Sequence, residues 1–173
     1  LVTVGDKPVI TRVIEKFPNS ATFVIILGYK GEMVEEVVRT LHPDLNFNFV
    51  YVENYDGVGS GLGHSLSIAK DYLQTPFIFI PNDAVIGSDN IALDPCVEGN
   101  WAGYYRMTST DSYHPEDFRT LDISESGNDV VNITAKGTLN ENIYVGICGI
   151  MDTDKFWAAM DNHDDPTIGE VVG

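Results

Sequence analysis

Apolar positions in the first half of the chain alternate between helical spacing and continuous runs. After Pro8, apolar residues recur at helical intervals, which predicts a first helix that is opened by a proline and ends before Pro18. The apolar run over 21–27 predicts a buried strand, and the spacing over 34–41 predicts a second, amphipathic helix. Another strand is predicted over 47–53. This alternation at short pitch is typical of a doubly wound parallel sheet.

The stretch after residue 75 contains the most informative polar residues of this half. Four consecutive apolar residues, 77–80, stand between Pro76 and Pro81, which predicts a short strand buried on both faces. Asn82 and Asp83 follow at once. We therefore expect the Asp83 carboxylate at the carboxyl end of that strand, where ligands and metals bind in open α/β sheets. An ordinary turn aspartate is the alternative, and this stretch alone leaves both interpretations open.

The second half of the chain has a different pattern. Strand-like runs separated by turn residues are predicted over 101–107, 118–124, 129–134 and 143–151. Helical spacing returns over 154–162, with Asp154 placed to cap the helix. The predicted fold class is α/β, a Rossmann-like three-layer sandwich with a mostly parallel central sheet and a mixed, partly antiparallel second half. We expect one domain over 1–173.

Charge excludes several partners. The 173 residues include 10 Lys plus Arg against 26 Asp plus Glu, a net charge of −16. Such a chain repels nucleic acid and anionic membranes, so neither is an expected partner. No run has the apolar length of a membrane span, and no signal peptide is visible. Any phosphate that the chain binds has to be held by a metal, by backbone N–H groups or by a few chosen cations.

Cysteines and histidines indicate neither a disulfide framework nor a zinc site. Cys96 and Cys148 stand in unrelated contexts, as expected for a protein of the reducing cytoplasm. The four histidines show no ligand spacing, and each is expected to be an ordinary surface or core residue. They are His42, His64, His114 and His163.

A glycine-rich loop, 54–61, follows the strand predicted over 47–53 and precedes helical spacing. Glycines there offer backbone N–H groups and a close approach to a planar or anionic ligand. The spacing matches neither the dinucleotide-binding fingerprint nor a phosphate loop, so a plain turn is an alternative.

Taken in order, these segments resemble the sugar-1-phosphate nucleotidyltransferases, a family with a glycosyltransferase-A-like fold. The similarity extends over nearly the whole chain, and the order and spacing of the motifs carry it rather than any one of them. The segments are Val4-Gly-Asp-Lys-Pro-Val-Ile-Thr-Arg-Val-Ile-Glu15, Ile26-Leu-Gly-Tyr29, Glu53-Asn54 with Gly59-Ser60, Ile80-Pro-Asn-Asp83, and Tyr144-Val-Gly-Ile147 with Phe156-Trp157.

The resemblance implies a nucleotide-binding half at 1–90, a sugar-binding half at 91–173 and a set of site residues. Asn54 and the backbone of Gly59 and Ser60 would contact the nucleobase, and Asp83 would hold Mg²⁺ on the triphosphate. Lys136 would approach the sugar phosphate, although a solvated turn lysine is an alternative. Asn82, beside Asp83, and Gly146, in the late strand beside the sugar, complete the expected substrate-binding residues.

The resemblance also implies a reaction. An oxygen of a sugar-1-phosphate would attack the α-phosphorus of a nucleoside triphosphate, giving a nucleotide sugar for polysaccharide or glycoconjugate synthesis and releasing pyrophosphate. Catalysis would rest on positioning and charge neutralisation, so no covalent catalytic residue is expected. The nucleobase, the sugar and homo-oligomerisation stay open.

Some features depart from the family pattern. Arg119 stands near the usual sugar-binding glycine, Ala135 replaces a glutamate, and Lys7 lies in the register of a second, less catalytic lysine. The family's first glycine-rich loop and its second metal-binding aspartate would fall outside the sequence given, so we expect the chain to be incomplete at both ends and this fragment to be inactive.

Two other functions remain in view. The first is a non-catalytic nucleotide or sugar-nucleotide binding module of the same fold. The second is a glycosyltransferase, which would require an Asp-x-Asp-like pair, whereas Pro81-Asn-Asp supplies one carboxylate.

Overall fold

A computed structural model of the chain describes residues 2–85, 99–127 and 129–162. Cys96 and His163, which the sequence analysis named, lie outside these residues. The described chain forms two compact units. Unit 1 contains residues 2–76, 85 and 152–162, and unit 2 contains residues 77–84, 99–127 and 129–151. The predicted assignment of a nucleotide to 1–90 and a sugar to 91–173 stays a prediction.

Unit 1 contains a parallel pair of strands connected by a helix. β3 and β4 run side by side from Thr22↔Asn46 to Leu27↔Tyr51, and the α2 crossover between them is amphipathic. The elements of unit 1 are β1 (Thr3–Val4), β2 (Lys7–Pro8), α1 (Val9–Ile14), β3 (Thr22–Leu27), α2 (Gly31–Leu41), β4 (Asn46–Tyr51), α3 (Leu62–Ile68), a 3-10 helix (Lys70–Tyr72) and α4 (Thr153–Asp161).

Unit 2 is an antiparallel sheet in the order β5-β9-β7-β8, with β6 also paired to β9. Its longest strand, β9, therefore organises the unit. The elements are β5 (Phe77–Phe79), β6 (Trp101–Arg106), a 3-10 helix (Pro115–Asp117), β7 (Thr120–Ile123), β8 (Val130–Thr134) and β9 (Asn142–Ile150). The mixed parallel and antiparallel pairing of the two units agrees with the predicted α/β class.

The predicted helices and strands are present, with three corrections. In β3 only Leu27 is buried, so the expectation of a buried strand there is wrong; within the described chain β3 lies in a two-stranded sheet with β4. The residues of β5 are half-buried, so the expectation of a strand buried on both faces is also wrong. In the described chain, β5 pairs antiparallel with β9, and antiparallel strands do not need both faces covered. The cap of α4 is Asp152, whose carboxylate accepts a hydrogen bond from the Lys155 N–H at 3.1 Å; Asp154 lies in the first turn and does not cap.

Burial and hydrogen bonds join α4 to the rest of unit 1. Trp157 is 5% exposed and its indole N–H donates to the Leu73 carbonyl at 2.9 Å. The Lys70 ammonium contacts both oxygens of Asp161, at 2.9 and 2.8 Å. Unit 1 thus includes a helix that arrives late in the sequence.

The core of each unit is small and mostly aliphatic. In unit 2, Thr120 and Leu121 are fully buried in β7, and the Thr120 hydroxyl hydrogen-bonds that of Thr134 in β8. Across the described residues, no helix has both the length and the apolar character that crossing a bilayer requires. The buried apolar residues of unit 1 are Val9, Ile14, Leu27, Val38, Val50, Val52, Leu66, Ala69, Leu73, Trp157 and Met160.

Candidate functional site

The glycine-rich loop of unit 1 is a series of tight turns. Gly57 and Gly59 have φ of 82° and 85°, values that favour glycine. The Ser60 hydroxyl and N–H both donate to the Gly57 carbonyl, at 2.7 and 3.2 Å. The Asn54 side-chain N–H₂ points at the Val58 carbonyl, 3.4 Å away. Asn54 and Ser60 therefore donate hydrogen bonds within the loop itself, whereas the Gly59 N–H has no acceptor in the described chain.

Two tyrosines cover two glycines at the turn between β3 and α2. A Cβ added at Gly28 would lie 2.6 Å from the Tyr55 Cβ, and one added at Gly31 would lie 2.9 Å from a ring carbon of Tyr51. Since contacts under about 3 Å are repulsive, both positions require glycine as long as the tyrosines stay in place. Tyr51, at the end of β4, and Tyr55, after it, are thereby fixed against the turn that follows β3.

An exposed hydrogen-bond network joins α2 to β4. The Tyr51 hydroxyl donates to Glu35 at 2.6 Å, and the Arg39 guanidinium donates to the same carboxylate at 2.8 Å. The hydrogen bond from Tyr51, followed by that from Arg39, lowers the pKa of Glu35. The reciprocal bond to Glu35 raises the pKa of Tyr51 to about 12. Glu35 is therefore an anchored carboxylate rather than an acid or base for catalysis.

In unit 2, Gly146 contacts Pro81, the residue that precedes Asn82 and Asp83. Gly146 has φ of 79°, and a Cβ there would lie 2.9 Å from Pro81 Cγ. Pro81 begins the turn that presents Asn82 and Asp83, and the Ala84 N–H closes that turn on the Pro81 carbonyl at 3.2 Å. Strand β9 therefore supports the turn after β5 through the contact between Gly146 and Pro81.

Asp83 is exposed, and within the described part of the chain it has no hydrogen-bond or ion-pair partner. A carboxylate that caps a turn would normally accept a local N–H. Among the described residues, no group of three or more His, Cys, Asp or Glu side chains surrounds a metal position. One free carboxylate nevertheless suits Mg²⁺, which commonly takes one or two carboxylates and completes its octahedron with phosphates and water.

Lys136 lies on a different turn of unit 2. It is exposed, and the neighbouring Gly137 has φ of 95° and donates its N–H to the Glu116 carbonyl at 2.9 Å. This bond fixes the turn and leaves the lysine side chain in solvent. Its role at a sugar phosphate stays a prediction. Lys7, by contrast, pairs with Glu15 at 2.7 Å on the surface of unit 1.

The groups beside Gly146 in β9 are neutral. Burial raises the pKa of Cys148, and burial also raises the pKa of Tyr144, with a further rise from the neighbouring thiol. A protonated, half-buried thiol is a poor nucleophile. This thiol is therefore not set up as a nucleophile, and the expectation that no residue is covalently catalytic stays a prediction.

Tyr55 and Lys30 are notable residues that the sequence analysis did not single out. Lys30 adopts a left-handed conformation, φ 55°, and its ammonium lies 5.1 Å from the ring centre of Tyr29. Non-glycine residues with positive φ are uncommon and often mark functional positions. A signal in the sequence could have drawn attention to this region: Tyr29 and Tyr55 each stand shortly after a strand of a predicted parallel pair.

Comparisons with known proteins provide further evidence. No protein-family model matches the chain. The bifunctional protein GlmU of Methanococcus vannielii is 21% identical over 142 residues, which cover 82% of this chain and 31% of the relative. The chain thus spans about a third of the length of that curated relative.

Among solved structures, the chain is similar to a Bacillus anthracis protein assigned as a glucose-1-phosphate thymidylyltransferase and crystallised with sucrose. The TM-score is 0.72 at 19% sequence identity, over 96% of this chain and 68% of that one. This similarity confirms the predicted Rossmann-like α/β fold.

Proposed function

We propose that this chain, a relative of the sugar-1-phosphate nucleotidyltransferases with their Rossmann-like fold, belongs to a protein that transfers a nucleotidyl group from a nucleoside triphosphate to a sugar-1-phosphate. The observation that carries the proposal is the state of the Asp83 side chain. It is an exposed carboxylate without a partner in the described chain, on a turn that Gly146 of β9 supports. Carboxylates placed after a strand and left unpaired by the protein are suited to a metal–phosphate ligand.

Each unit would supply a different part of the chemistry. In unit 1, the loop of Asn54, Gly59 and Ser60 would bind the nucleobase, with the Gly59 N–H, which has no acceptor in the described chain, as a backbone donor. In unit 2, Asp83 would hold Mg²⁺, while Asn82, Gly146 and the exposed Lys136 would position the sugar phosphate. Bound there, Mg²⁺ would neutralise charge on the triphosphate.

The reaction needs no covalent intermediate. A phosphate oxygen of the sugar-1-phosphate attacks the α-phosphorus, the bond to the bridging oxygen of the β-phosphate breaks, and pyrophosphate leaves with that electron pair. The chain has to hold the two reactants in line and offset their negative charges. Because the net charge is −16, this neutralisation falls to a few chosen groups such as Lys136 and the metal.

The proposal is tested by measuring pyrophosphate release from the full-length protein across the common nucleoside triphosphates and several sugar-1-phosphates. Release that depends on both substrates and on Mg²⁺ is the expected result, and the active combination identifies the base and the sugar. Binding of a nucleotide or nucleotide sugar without any release would instead support the non-catalytic binding module. The location in the cytoplasm stays a prediction.

A further inference from the structure

The aromatic pair, Tyr29 and Tyr55, is an unusual exposed feature of unit 1. Tyr29 is 67% exposed and Tyr55 is 49% exposed, and their ring centres lie 6.4 Å apart at an angle of 50°. Large aromatic rings that remain this accessible commonly serve recognition, because they offer broad apolar area at low conformational cost.

The positions of both rings are fixed by the backbone. Tyr55 packs on Gly28, where no side chain fits, and the turn that contains Tyr29 closes through the Gly31 N–H and the Gly28 carbonyl at 3.0 Å. Lys30 completes this turn in a left-handed conformation. A lysine in that conformation costs roughly 1 kcal/mol relative to glycine, so the turn retains strain at the point where it presents Tyr29.

The aromatic pair stands at the carboxyl ends of two parallel strands. Tyr29 follows β3 by two residues and Tyr55 follows β4 by four, and the pairing continues past the strand ends through the Val52 N–H and the Leu27 carbonyl at 2.8 Å. This is the edge at which α/β sheets bind ligands. Tyr55 also adjoins Asn54, the first residue of the glycine-rich loop.

Charge and geometry favour a neutral planar ring over a phosphate here. Glu53 and Asp56 flank Tyr55 in sequence and oppose an anion, while the Lys30 ammonium lies against Tyr29 and opposes a cation. The rings are tilted and too close for a third ring to fit between them, since a sandwich needs about 3.5 Å on each side. A ligand ring therefore has to lie on an exposed face of one tyrosine.

We propose that the aromatic pair is the surface on which the nucleobase stacks, with Tyr55 as the principal contact. This inference rests on the proposed function and adds to it a means of binding the base that uses the π-face of the ring instead of hydrogen bonds to its edge. Stacking tolerates different bases, so this surface contributes affinity, and selection among bases falls to the hydrogen-bonding groups of the loop.

The test is calorimetric binding of a nucleoside triphosphate, and of the corresponding nucleoside without phosphates, to the full-length protein. Tyr55→Leu retains the Cβ and Cγ that pack on Gly28 and removes the ring, whereas Tyr55→Phe retains the ring. Tyr72→Leu, a tyrosine 53% exposed elsewhere in unit 1, is the matched control. Thermal melts accompany each variant, and Tyr29→Leu tests the same surface if Tyr55→Leu does not fold.

We expect Tyr55→Leu to weaken the binding of both ligands by about 5- to 150-fold. The factor should be similar for the triphosphate and the nucleoside, because the lost contact is to the base alone. Tyr55→Phe and Tyr72→Leu should bind like the wild type. If the wild type binds nucleotide and neither Tyr55→Leu nor Tyr29→Leu weakens that binding, the inference is overturned and the proposed function stays intact. Tyrosine-dependent nucleotide binding without pyrophosphate release would support the inference and sink the proposed function.

Discussion

Pro81 lies directly against the α-carbon of Gly146, so that a single methyl group added at Gly146 would meet Pro81 Cγ at 2.9 Å. Through this contact, strand β9 holds the turn that presents Asp83. The position of a glycine in one strand thus determines where a carboxylate on another segment of unit 2 can stand.

Gly146→Ala is expected to destabilise the protein by about 1–3 kcal/mol, because alanine is strained at φ 79° and its methyl group would displace Pro81. Urea unfolding measures the loss. Gly127→Ala is the control, since φ there is 80° but no atom lies within 4 Å of the added carbon. An equal loss in both variants would show that strain alone, and not the contact with Pro81, accounts for it.

Asp83→Asn should leave the melting temperature nearly unchanged, because the exposed carboxylate has no partner in the described chain. It should also abolish the dependence of nucleotide affinity on Mg²⁺. A Mg²⁺ titration of nucleotide binding to the full-length protein measures this, with Asp44→Asn, another exposed turn aspartate, as the control. Equal Mg²⁺ dependence in wild type and Asp83→Asn would rule out the metal role.

Tyr51→Phe should raise the pKa of Glu35 towards its ordinary value, because the hydrogen bond that contributes most to lowering it is lost. A carboxyl-carbon NMR titration measures the change.

The pH dependence of stability follows from the same hydrogen bond. Since the folded-state pKa of Glu35 is lowered, its contribution to stability is present above the unfolded pKa and is lost as pH falls through the folded value. The pKa of Tyr51 is raised to about 12, so its contribution is lost only as pH rises through that value. An unchanged Glu35 titration in the variant would contradict the assignment.

The two tryptophans are expected to respond differently to replacement by phenylalanine. Trp157→Phe removes the donor to the Leu73 carbonyl and should cost about 1–3 kcal/mol. The buried indole N–H of Trp101 has no acceptor among the described residues, so Trp101→Phe removes an unsatisfied donor and should cost less. Paired denaturation curves decide the matter, and a larger loss for Trp101→Phe would show that its packing on Gly149 outweighs the unpaired donor.

Periodicity was enough to predict the longer helices and strands, because local apolar spacing determines them, but it missed the two-residue strands β1 and β2. It did not predict that β5 would pair antiparallel with β9, since partners 69 to 73 residues apart leave no local trace in the pattern. The same limit applies to the site. Asp83 was placed at a strand end from its neighbours alone, whereas the packing of Tyr55 on Gly28 depends on a three-dimensional contact between two turns. Gly28 and Tyr55 each look ordinary until that contact is seen.

The attachment of α4 to Leu73 also has a consequence for the order in which the protein is made. The hydrogen bond between Trp157 and Leu73 joins residues 84 positions apart, and the intervening chain includes unit 2. At a synthesis rate of about 5–20 residues per second, the ribosome needs roughly 4 to 17 s to add the helix after Leu73 has been made. During that interval α4 does not yet cover the segment around Leu73. Unit 1 therefore cannot be completed until its last helix has been synthesised, whereas the sequence of unit 2 is complete before that.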